Sequence, residues 1–424
     1  MKLHSILAVL LAAVSQPIFA RPELSGFAVG QDVNTRLVTI DYTLSESAIV
    51  TLDIQTNGVS IGAENFRSIR EPLAADNDYP AGRVVSAGAH RLFWQPMQDW
   101  VGQMIVNGGL KVVLKAWAFD APPDYMVIDM TTKSNRWYYA SLAELPDGGI
   151  KTADPSDSVA VAALANDAYR TTRLVMRRIP ARDVTWRMGS PSGETGRSSN
   201  ETAHYVTLTN DYFISIYPMT GTQYNYANGS SPGASTVPAY YVTYDTLRGS
   251  ATGTSFCWPT NGHAVLSTSM FGKLRTLTGL EFDMPTEAQW EYACRAGTSG
   301  RWCNNHASSA ESVAWTLSHV STKDRHCVGL KDPNAWGIYD MHGNVQEWVL
   351  DQYAAYTTDE MTDPVGPCDN AANRIVRGGS SWQGDTAARS AARRTLKSSA
   401  NSDSGYGGGP GVRLCCPVTV PSQN

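Results

Sequence analysis

The chain has 424 residues, of which 42% are hydrophobic and 17% are charged, a balance typical of globular rather than disordered proteins. Its formal net charge is -5 at pH 7, and the sequence contains no block of Lys and Arg. Nucleic-acid binding requires a basic surface that displaces counterions from phosphate, so composition and charge argue against a nucleic-acid partner.

The first residues have the pattern of a secretory signal peptide, which we assign to residues 1–20. Lys2 precedes an apolar run at residues 6–14, and the small residue Ala20 closes the segment. A membrane span needs about 20 apolar residues, so we expect cleavage after Ala20 and no membrane span in the mature chain. An uncleaved N-terminal anchor is the alternative. Cleavage predicts a secreted or periplasmic protein, and export from a bacterial cell fits the sequence without separating these two compartments.

Residues 22–130 have the pattern of an all-β domain. Alternating, β-branched segments at residues 36–44, 49–54 and 111–119 indicate half-buried strands. Several short strands without helical periodicity predict an antiparallel sandwich of the immunoglobulin or fibronectin type. Residues 131–172 are polar and then rich in Ala, Asp and Ser, and we interpret them as a linker that packs partly on its neighbours.

A second domain, of the α+β class, is predicted at residues 173–418. It opens with strand patterns at residues 172–180, 205–208 and 212–216. Its clearest helix begins after Thr286, which caps the backbone while Gln289 reaches back. The buried face of this helix is predicted to contain Trp290, Ala293 and Cys294.

Seven cysteines lie between Cys257 and Cys416, in a chain whose predicted export would allow disulfides. The odd number leaves at least one cysteine unpaired, and the spacing does not match a zinc site. Cys294 falls within the predicted helix, so we expect a buried thiol or one half of a disulfide there. The pairing of the others stays open.

The segment from Asn334 to Trp348 combines aromatic residues, glycine turns and two carboxylates. Gly343 and the following Asn predict a turn between Asp340 and Glu347. Hard oxygen ligands on a tight loop suit calcium. The alternative is that both carboxylates cap turns and pair with arginines, because a loop rich in Gly and Asn needs side-chain partners for its backbone.

A second motif, from Arg374 to Trp382, is a strand that leads into a double-glycine turn. Gly378 and Gly379 allow close approach of the backbone, and Ser380 follows them. No Gly-x-Ser-x-Gly elbow surrounds this serine, so the pattern does not indicate a serine hydrolase.

These two motifs, with Met-Gly-Ser at 188–190 and Pro-Thr-Glu-Ala-Gln-Trp-Glu-Tyr at 285–292, resemble the formylglycine-generating enzyme family, also called the sulfatase-modifying factor domain. The resemblance implies a variant of the C-type lectin-like fold, in which long irregular segments wrap a small sheet core. It implies family active-site positions at Arg377 and Ser380. It also implies a structural calcium site formed by Asp340, Gly343, Val345 and Glu347.

The chain departs from the family at the oxidising centre. Oxidase members carry one cysteine three residues after the serine and another five residues further on, and the pair binds copper(I), which prefers soft thiolates. Here the first position is Gln383 and the second falls near Ala388, in a segment without sulfur. We therefore expect no copper and no cysteine oxidation. Participation of Cys415 or Cys416 is the less favoured alternative.

Two functions remain in consideration, and whether the protein is an enzyme stays open. The favoured hypothesis is a secreted non-oxidase member that binds an extracellular glycan, peptide or protein ligand, with the sandwich as a spacer or second adhesive module. Trp382 and Gln383 are the candidate ligand-binding residues, in a cleft bordered by Trp348 and residues 351–353, because aromatic and amide groups suit sugars or peptides. The alternative is a formylglycine-generating oxidase that converts a cysteine of a sulfatase or another protein to formylglycine.

Overall fold

A computed structural model describes residues 21–71, 82–103, 109–132, 136–147, 149–249, 265–305, 309–367, 373–402 and 408–418. The predicted signal peptide, Cys257 and Cys368 lie outside the described residues. Within the described ranges, no helix is both long enough and apolar enough to cross a bilayer.

Two antiparallel sheets form the N-terminal part of the chain. Their elements are β1 (Leu24–Gln31), β2 (Val38–Leu44), β3 (Ala48–Thr56), β4 (Val59–Ser60), β5 (Arg83–Val85), β6 (Gly88–Trp94), the short helix α1 (Pro96–Asp99) and β7 (Leu110–Trp117). One sheet has the order β1-β2-β6, and in the other β3 pairs with β7 and with β4 and β5. Inward-facing residues of both sheets, including Ile40 and Ile54, share one hydrophobic cluster. The strands predicted at 36–44, 49–54 and 111–119 are confirmed.

The described part of the remaining chain contains short strands, short helices and long loops. Its elements are β8 (Tyr125–Asp129), β9 (Arg136–Tyr139), α2 (Ser158–Ala163), β10 (Arg173–Ile179), β11 (Val184–Met188), β12 (His204–Leu208), β13 (Tyr212–Ser215), α3 (Gly221–Asn228), α4 (Tyr244–Arg248), α5 (Met270–Thr278), α6 (Glu287–Arg295), β14 (Ala314–Trp315), β15 (His342–Gly343), β16 (Glu347–Gln352), β17 (Met361–Thr362), β18 (Asn373–Arg377), β19 (Arg394–Lys397), β20 (Gly411–Val412) and β21 (Cys415–Pro417). The largest sheet has the order β21-β13-β10-β8-β9, and a second has the order β19-β18-β16-β20. Smaller sheets have the orders β11-β12-β17 and β14-β15.

The predicted boundary at residue 130 does not coincide with membership of the sheets. Strand β8, which the sequence analysis placed in the first domain, pairs with β10 of the second, and β9 from the predicted linker pairs with β8. Both faces of β8 are buried, so its continuous apolar pattern gives no sign of the sheet to which it belongs. Tyr139, Leu145 and Tyr169 of the predicted linker are buried, which shows that this segment packs as part of the fold.

Helix α6 confirms the predicted cap. The Thr286 side chain accepts a hydrogen bond from the backbone N–H of Gln289, whose side chain accepts one from the backbone N–H of Thr286. This reciprocal pairing satisfies two donors that a helix end otherwise leaves free. Trp290, Ala293 and Cys294 are fully buried, as the helical spacing predicts.

Buried ion pairs connect the irregular segments that surround these sheets. A buried charge is costly unless a partner and further hydrogen bonds compensate it, so each pair holds its two segments in a defined position. Buried pairs among the described residues include Arg170–Asp167, Arg248–Asp283, Arg295–Glu291, Arg377–Glu291, Arg389–Glu201, Arg393–Glu287 and Arg413–Glu347.

Candidate functional site

A cavity of about 250 Å³ lies where the loop before β12 meets the end of β18 and the segment that follows it. Its walls are formed by residues within 196–201, 376–379 and 383–394, with Gln346 on one side. This is the position at which the sequence motif predicted the family's active site.

Glycines bring these three segments together. Gly379 has φ +67°, and a Cβ on it would lie 2.8 Å from the backbone carbonyl carbon of Ala387. Gly196 has φ +82°, and its Cβ would lie 2.6 Å from Cγ2 of Thr386. Side chains at these positions would both strain the backbone and collide with the opposite wall, so the cavity depends on glycine.

Gln383 lies in the wall of the cavity, at the position of the family's first cysteine. Its side chain is buried, and Oε1 accepts hydrogen bonds from Gln346 Nε2 at 3.0 Å and Ser380 Oγ at 3.4 Å. The structure therefore brings together two of the predicted site residues, Ser380 and Gln383. Gln346 was not predicted, although it lies within a motif that the sequence analysis singled out.

Arg377, in the cavity wall, connects several segments of the site. Its guanidinium is fully buried, pairs with Glu291 of α6, and donates to the backbone oxygens of Ser390, Ala391 and Ala392. Burial alone would lower the pKa of Arg377, but the Glu291 and Glu287 carboxylates raise it, so the group stays charged. These contacts make Arg377 a positioning residue for the 383–394 segment.

Two further arginines of the wall were not predicted. Arg389 makes a bidentate pair with Glu201 and also contacts Glu194, while Arg393 makes a bidentate pair with Glu287. The arginines at residues 389–394 could have indicated buried ion pairs, because they lie among small apolar residues and a buried arginine needs a carboxylate partner. The partners lie far away in sequence, so the sequence alone could not identify them.

The predicted aromatic border is not found at this cavity. Trp382 is half-buried against the backbone of residue 408, where a Cβ on Gly408 would lie 2.9 Å from Trp382 Cε3, and it does not line the cavity. Trp348 is fully buried, and its Nε1 donates to Val242 O at 2.7 Å. Asp351 is buried too and accepts a hydrogen bond from the backbone N–H of Glu287. Of the predicted cleft residues, Gln383 lines the cavity, whereas Trp382 and Trp348 do not.

The residues proposed for calcium have other partners. Glu347 accepts hydrogen bonds from Trp290 Nε1 at 2.6 Å and from Arg413 Nη2 at 2.8 Å, and Arg413 also donates to Tyr339 O. Asp340 accepts from Gly329 N and Asn344 Nδ2.

The positive charge that calcium would bring to Glu347 is thus already supplied by a guanidinium. Gly343 and Val345 lie in the turn between the carboxylates, and both are buried. These residues do not fit calcium in the described arrangement. The geometry corresponds to the second interpretation of the motif, in which the carboxylates pair with arginine and with turn amides.

No described cysteine lines the cavity. Cys294, Cys303, Cys327, Cys415 and Cys416 are unpaired and buried elsewhere in the domain. Burial raises the pKa of Cys294 to about 12 and that of Cys415 well above its usual value, which leaves both thiols protonated and unreactive at neutral pH.

The donor set of the described cavity consists of amides, hydroxyls, guanidinium groups and one carboxylate, Glu201. Copper(I) prefers soft sulfur ligands, so this set does not fit it. Across the described residues, no three or more His, Cys, Asp or Glu side chains form a group that could hold a metal ion.

Comparison with protein families identifies the class of protein. The model of the sulfatase-modifying factor enzyme 1-like domain matches residues 176–408, more than half of the chain. The chain therefore belongs to the formylglycine-generating enzyme, or sulfatase-modifying factor, family, as the sequence motifs indicated.

Two characterised relatives are formylglycine-generating enzymes. That of Streptomyces coelicolor is 36% identical over 119 residues, which cover 23% of this chain and 35% of the relative. That of Mus musculus is 29% identical over 133 residues, covering 28% of this chain and 36% of the relative. The matched segments thus span about a third of each relative's length. Among solved structures, Treponema denticola variable protein 1 aligns with a TM-score of 0.47 and 22% identity, over 58% of this chain and 96% of that protein.

Proposed function

We propose that this protein is a non-oxidase member of its family that binds a ligand in the cavity beside Gly378 and Gly379. The supporting observation is the wall residue Gln383, which stands where oxidase members place their first copper-binding cysteine. Ala388, at the second position, is buried and offers no side-chain ligand, while its carbonyl oxygen accepts a hydrogen bond from His342 Nδ1. The described residues of the cavity therefore offer no thiolate ligands for copper-dependent oxidation of cysteine.

The proposed ligand is a small polar group on an extracellular glycan, peptide or protein. The cavity offers hydrogen-bonding groups at Ser198, Gln346, Gln383 and Thr386, together with the exposed backbone of Gly196 and Gly384. A few precisely placed polar groups in a small pocket can fix the orientation of a polar ligand through hydrogen bonds, without a large apolar contact area. Export, with residues 1–20 as signal peptide, would place this site in the periplasm or outside the cell.

The two N-terminal sheets are proposed to form a sandwich of the immunoglobulin or fibronectin type. One sheet contains β1, β2 and β6, the other contains β3, β4, β5 and β7, and a shared apolar cluster lies between them. This pairing pattern is compatible with the type, in which two antiparallel sheets pack face to face.

Ligand binding is tested by blocking the cavity. Thr386→Trp places a large side chain at an exposed position of the wall, while Thr358→Trp places the same side chain at an exposed position away from it. Glycan and peptide arrays are probed with the wild-type full chain and with both variants. The proposal expects a ligand that is retained by Thr358→Trp and lost by Thr386→Trp. A ligand that both variants bind equally would show that the cavity is not the site.

A further inference from the structure

The N-terminal sandwich has two open strand edges on the same side. Among the described residues, β7 pairs only with β3 and β1 pairs only with β2, and these two outer strands approach each other across the two sheets. An unpaired edge presents a row of backbone N–H and C=O groups that can receive another strand.

Apolar side chains that face the interior are left uncovered along this side. Val29 of β1 lies opposite Ile40 in the register and so shares its inward face, yet Val29 is 44% exposed while Ile40 is fully buried. On the other sheet, Val112 lies opposite the fully buried Ile54 and is only partly buried. Leu114 of β7 is partly buried in the same way. The core is therefore open between β1 and β7.

The backbone of β7 is oriented to receive a strand. The bond from Asn57 N to Gly109 O at 3.4 Å makes these residues a hydrogen-bonded pair at the end of the β3–β7 ladder. Hydrogen-bonded pairs alternate with non-hydrogen-bonded pairs along an antiparallel ladder, and Val112 and Leu114 fall in non-hydrogen-bonded pairs with β3. Their backbone groups therefore point away from β3, toward the open edge. The same residues thus offer both free hydrogen-bonding groups and uncovered apolar side chains.

The outer face of β7 adds a charge preference. Lys111 and Lys115 are exposed and lie on this face, on either side of Val113. A strand added beside β7 would place its own outward residues next to these lysines, where opposite charges stabilise cross-strand pairs and like charges destabilise them.

We propose that an extended strand of a partner protein completes the sandwich at the free edge of β7. This strand carries apolar residues at alternate positions, which cover Val112 and Leu114, and acidic residues between them, which face Lys111 and Lys115. Strand addition of this kind gains affinity from backbone hydrogen bonds and specificity from alternate side chains. A second copy of this chain fits less well, because the open strand β1 contains no acidic residue.

The probes are two fluorescent peptides that share alternating valines and differ only in the residues between them, which are glutamate in one and lysine in the other. Binding to the full chain is measured by fluorescence anisotropy. The glutamate peptide is expected to bind roughly tenfold more tightly than the lysine peptide. Equal affinities, or no binding of the glutamate peptide, would overturn the proposal.

Hydrogen exchange resolved to single amides locates the binding. The amides of Val112 and Leu114 should exchange quickly in the free protein and slowly when the glutamate peptide is bound. Slow exchange in the free protein would show that the edge is already covered. Protection that grows with protein concentration, together with a dimer in sedimentation, would identify a second copy as the occupant and also overturn the proposal.

A matched pair of variants completes the test. Val112→Arg places a charge in the open gap, whereas Val59→Arg places one at a 68% exposed position on β4, on the opposite side of β3. Val112→Arg should abolish binding of the glutamate peptide, and Val59→Arg should leave it intact. If Val112→Arg does not fold, the peptide comparison and the exchange data on the wild-type chain still decide the question.

Discussion

Gln383 shows how one side chain changes the chemistry available beside a double-glycine turn. Its amide oxygen is bound by Gln346 and Ser380, so the position that would carry a metal-binding thiolate in oxidase members instead belongs to a network of polar side chains. Neutral amides and hydroxyls can fix the orientation of a polar ligand, but they are poor ligands for copper(I) and so do not support its redox chemistry.

Glu291 is expected to be essential for stability because it compensates two buried arginines, Arg377 and Arg295. Glu291→Gln keeps the shape but leaves these charges without their partner, and loss of one partner of a buried pair costs about 3–5 kcal/mol. Thermal and denaturant unfolding measure the change. Asp147→Asn makes the same chemical change at a 44% exposed carboxylate that pairs with Arg67 and Arg173, and it should have a much smaller effect. Similar losses in both variants would contradict this role of burial.

Asp351 is expected to make stability depend on pH. Burial raises its pKa to about 7, and the neighbouring Glu287 carboxylate adds to the shift. The folded chain thus keeps a proton that the unfolded chain releases near pH 4, so this group favours folding most at low pH, and its contribution falls as pH rises toward 7. Unfolding of wild type and Asp351→Asn is compared between pH 5 and pH 8. The variant should lose less stability over this range; an unchanged or steeper loss would refute the assignment.

The sequence analysis predicted two of the residues that meet at the candidate site. Ser380 and Gln383 were predicted because a glycine turn and a motif position identified them, and both are at the cavity or beside it. Trp382 is half-buried beside residue 408 and does not line this cavity, so its role as a ligand contact stays a prediction. The pairs Arg389–Glu201 and Arg393–Glu287 join distant segments, which spacing along the chain does not reveal.

Helix α6 is the element that connects the site to the core. Thr286 caps it, Glu287 and Glu291 pair with arginines of the cavity wall, and Trp290 packs in the interior. The cap and the apolar spacing lie within ten residues, so local rules were sufficient to predict this helix.

Loss of the α6 cap should weaken the whole domain. Thr286→Ala removes the side-chain oxygen that accepts from Gln289 N, and such caps contribute about 1 kcal/mol. Thr358→Ala, at an exposed position outside regular structure, is the control and should leave the melting temperature unchanged. Equal melting temperatures for wild type and Thr286→Ala would show that the cap does not limit stability.

Strand β8 shows that local sequence patterns can predict a strand without predicting the sheet to which it belongs. Its sequence predicts a buried strand, but only the pairing with β10 shows that it belongs to the sheet of the second domain. Membership in a sheet depends on long-range pairing, whereas alternation and apolar runs describe single strands.

At the scale of the whole molecule, buried ion pairs join distant segments of the irregular C-terminal domain. Arg413 provides the positive charge beside Glu347, at the position where the family resemblance implied calcium. We therefore expect the melting temperature to be the same with calcium and with a chelator, because only a ligand that binds the folded state raises it. A calcium-dependent increase would show that the ion displaces Arg413 and would restore the predicted calcium site.

The most direct test of the central claim is an assay for formylglycine. The purified full chain is incubated with copper(I), dioxygen, a reductant and a peptide that carries the cysteine of a sulfatase motif, and the product is identified by mass spectrometry. A formylglycine-generating enzyme such as that of Streptomyces coelicolor serves as the positive control. The account predicts no conversion by this chain under conditions in which the control converts the peptide. Copper-dependent turnover would contradict it and would show that a cysteine outside the cavity wall supplies the missing ligands.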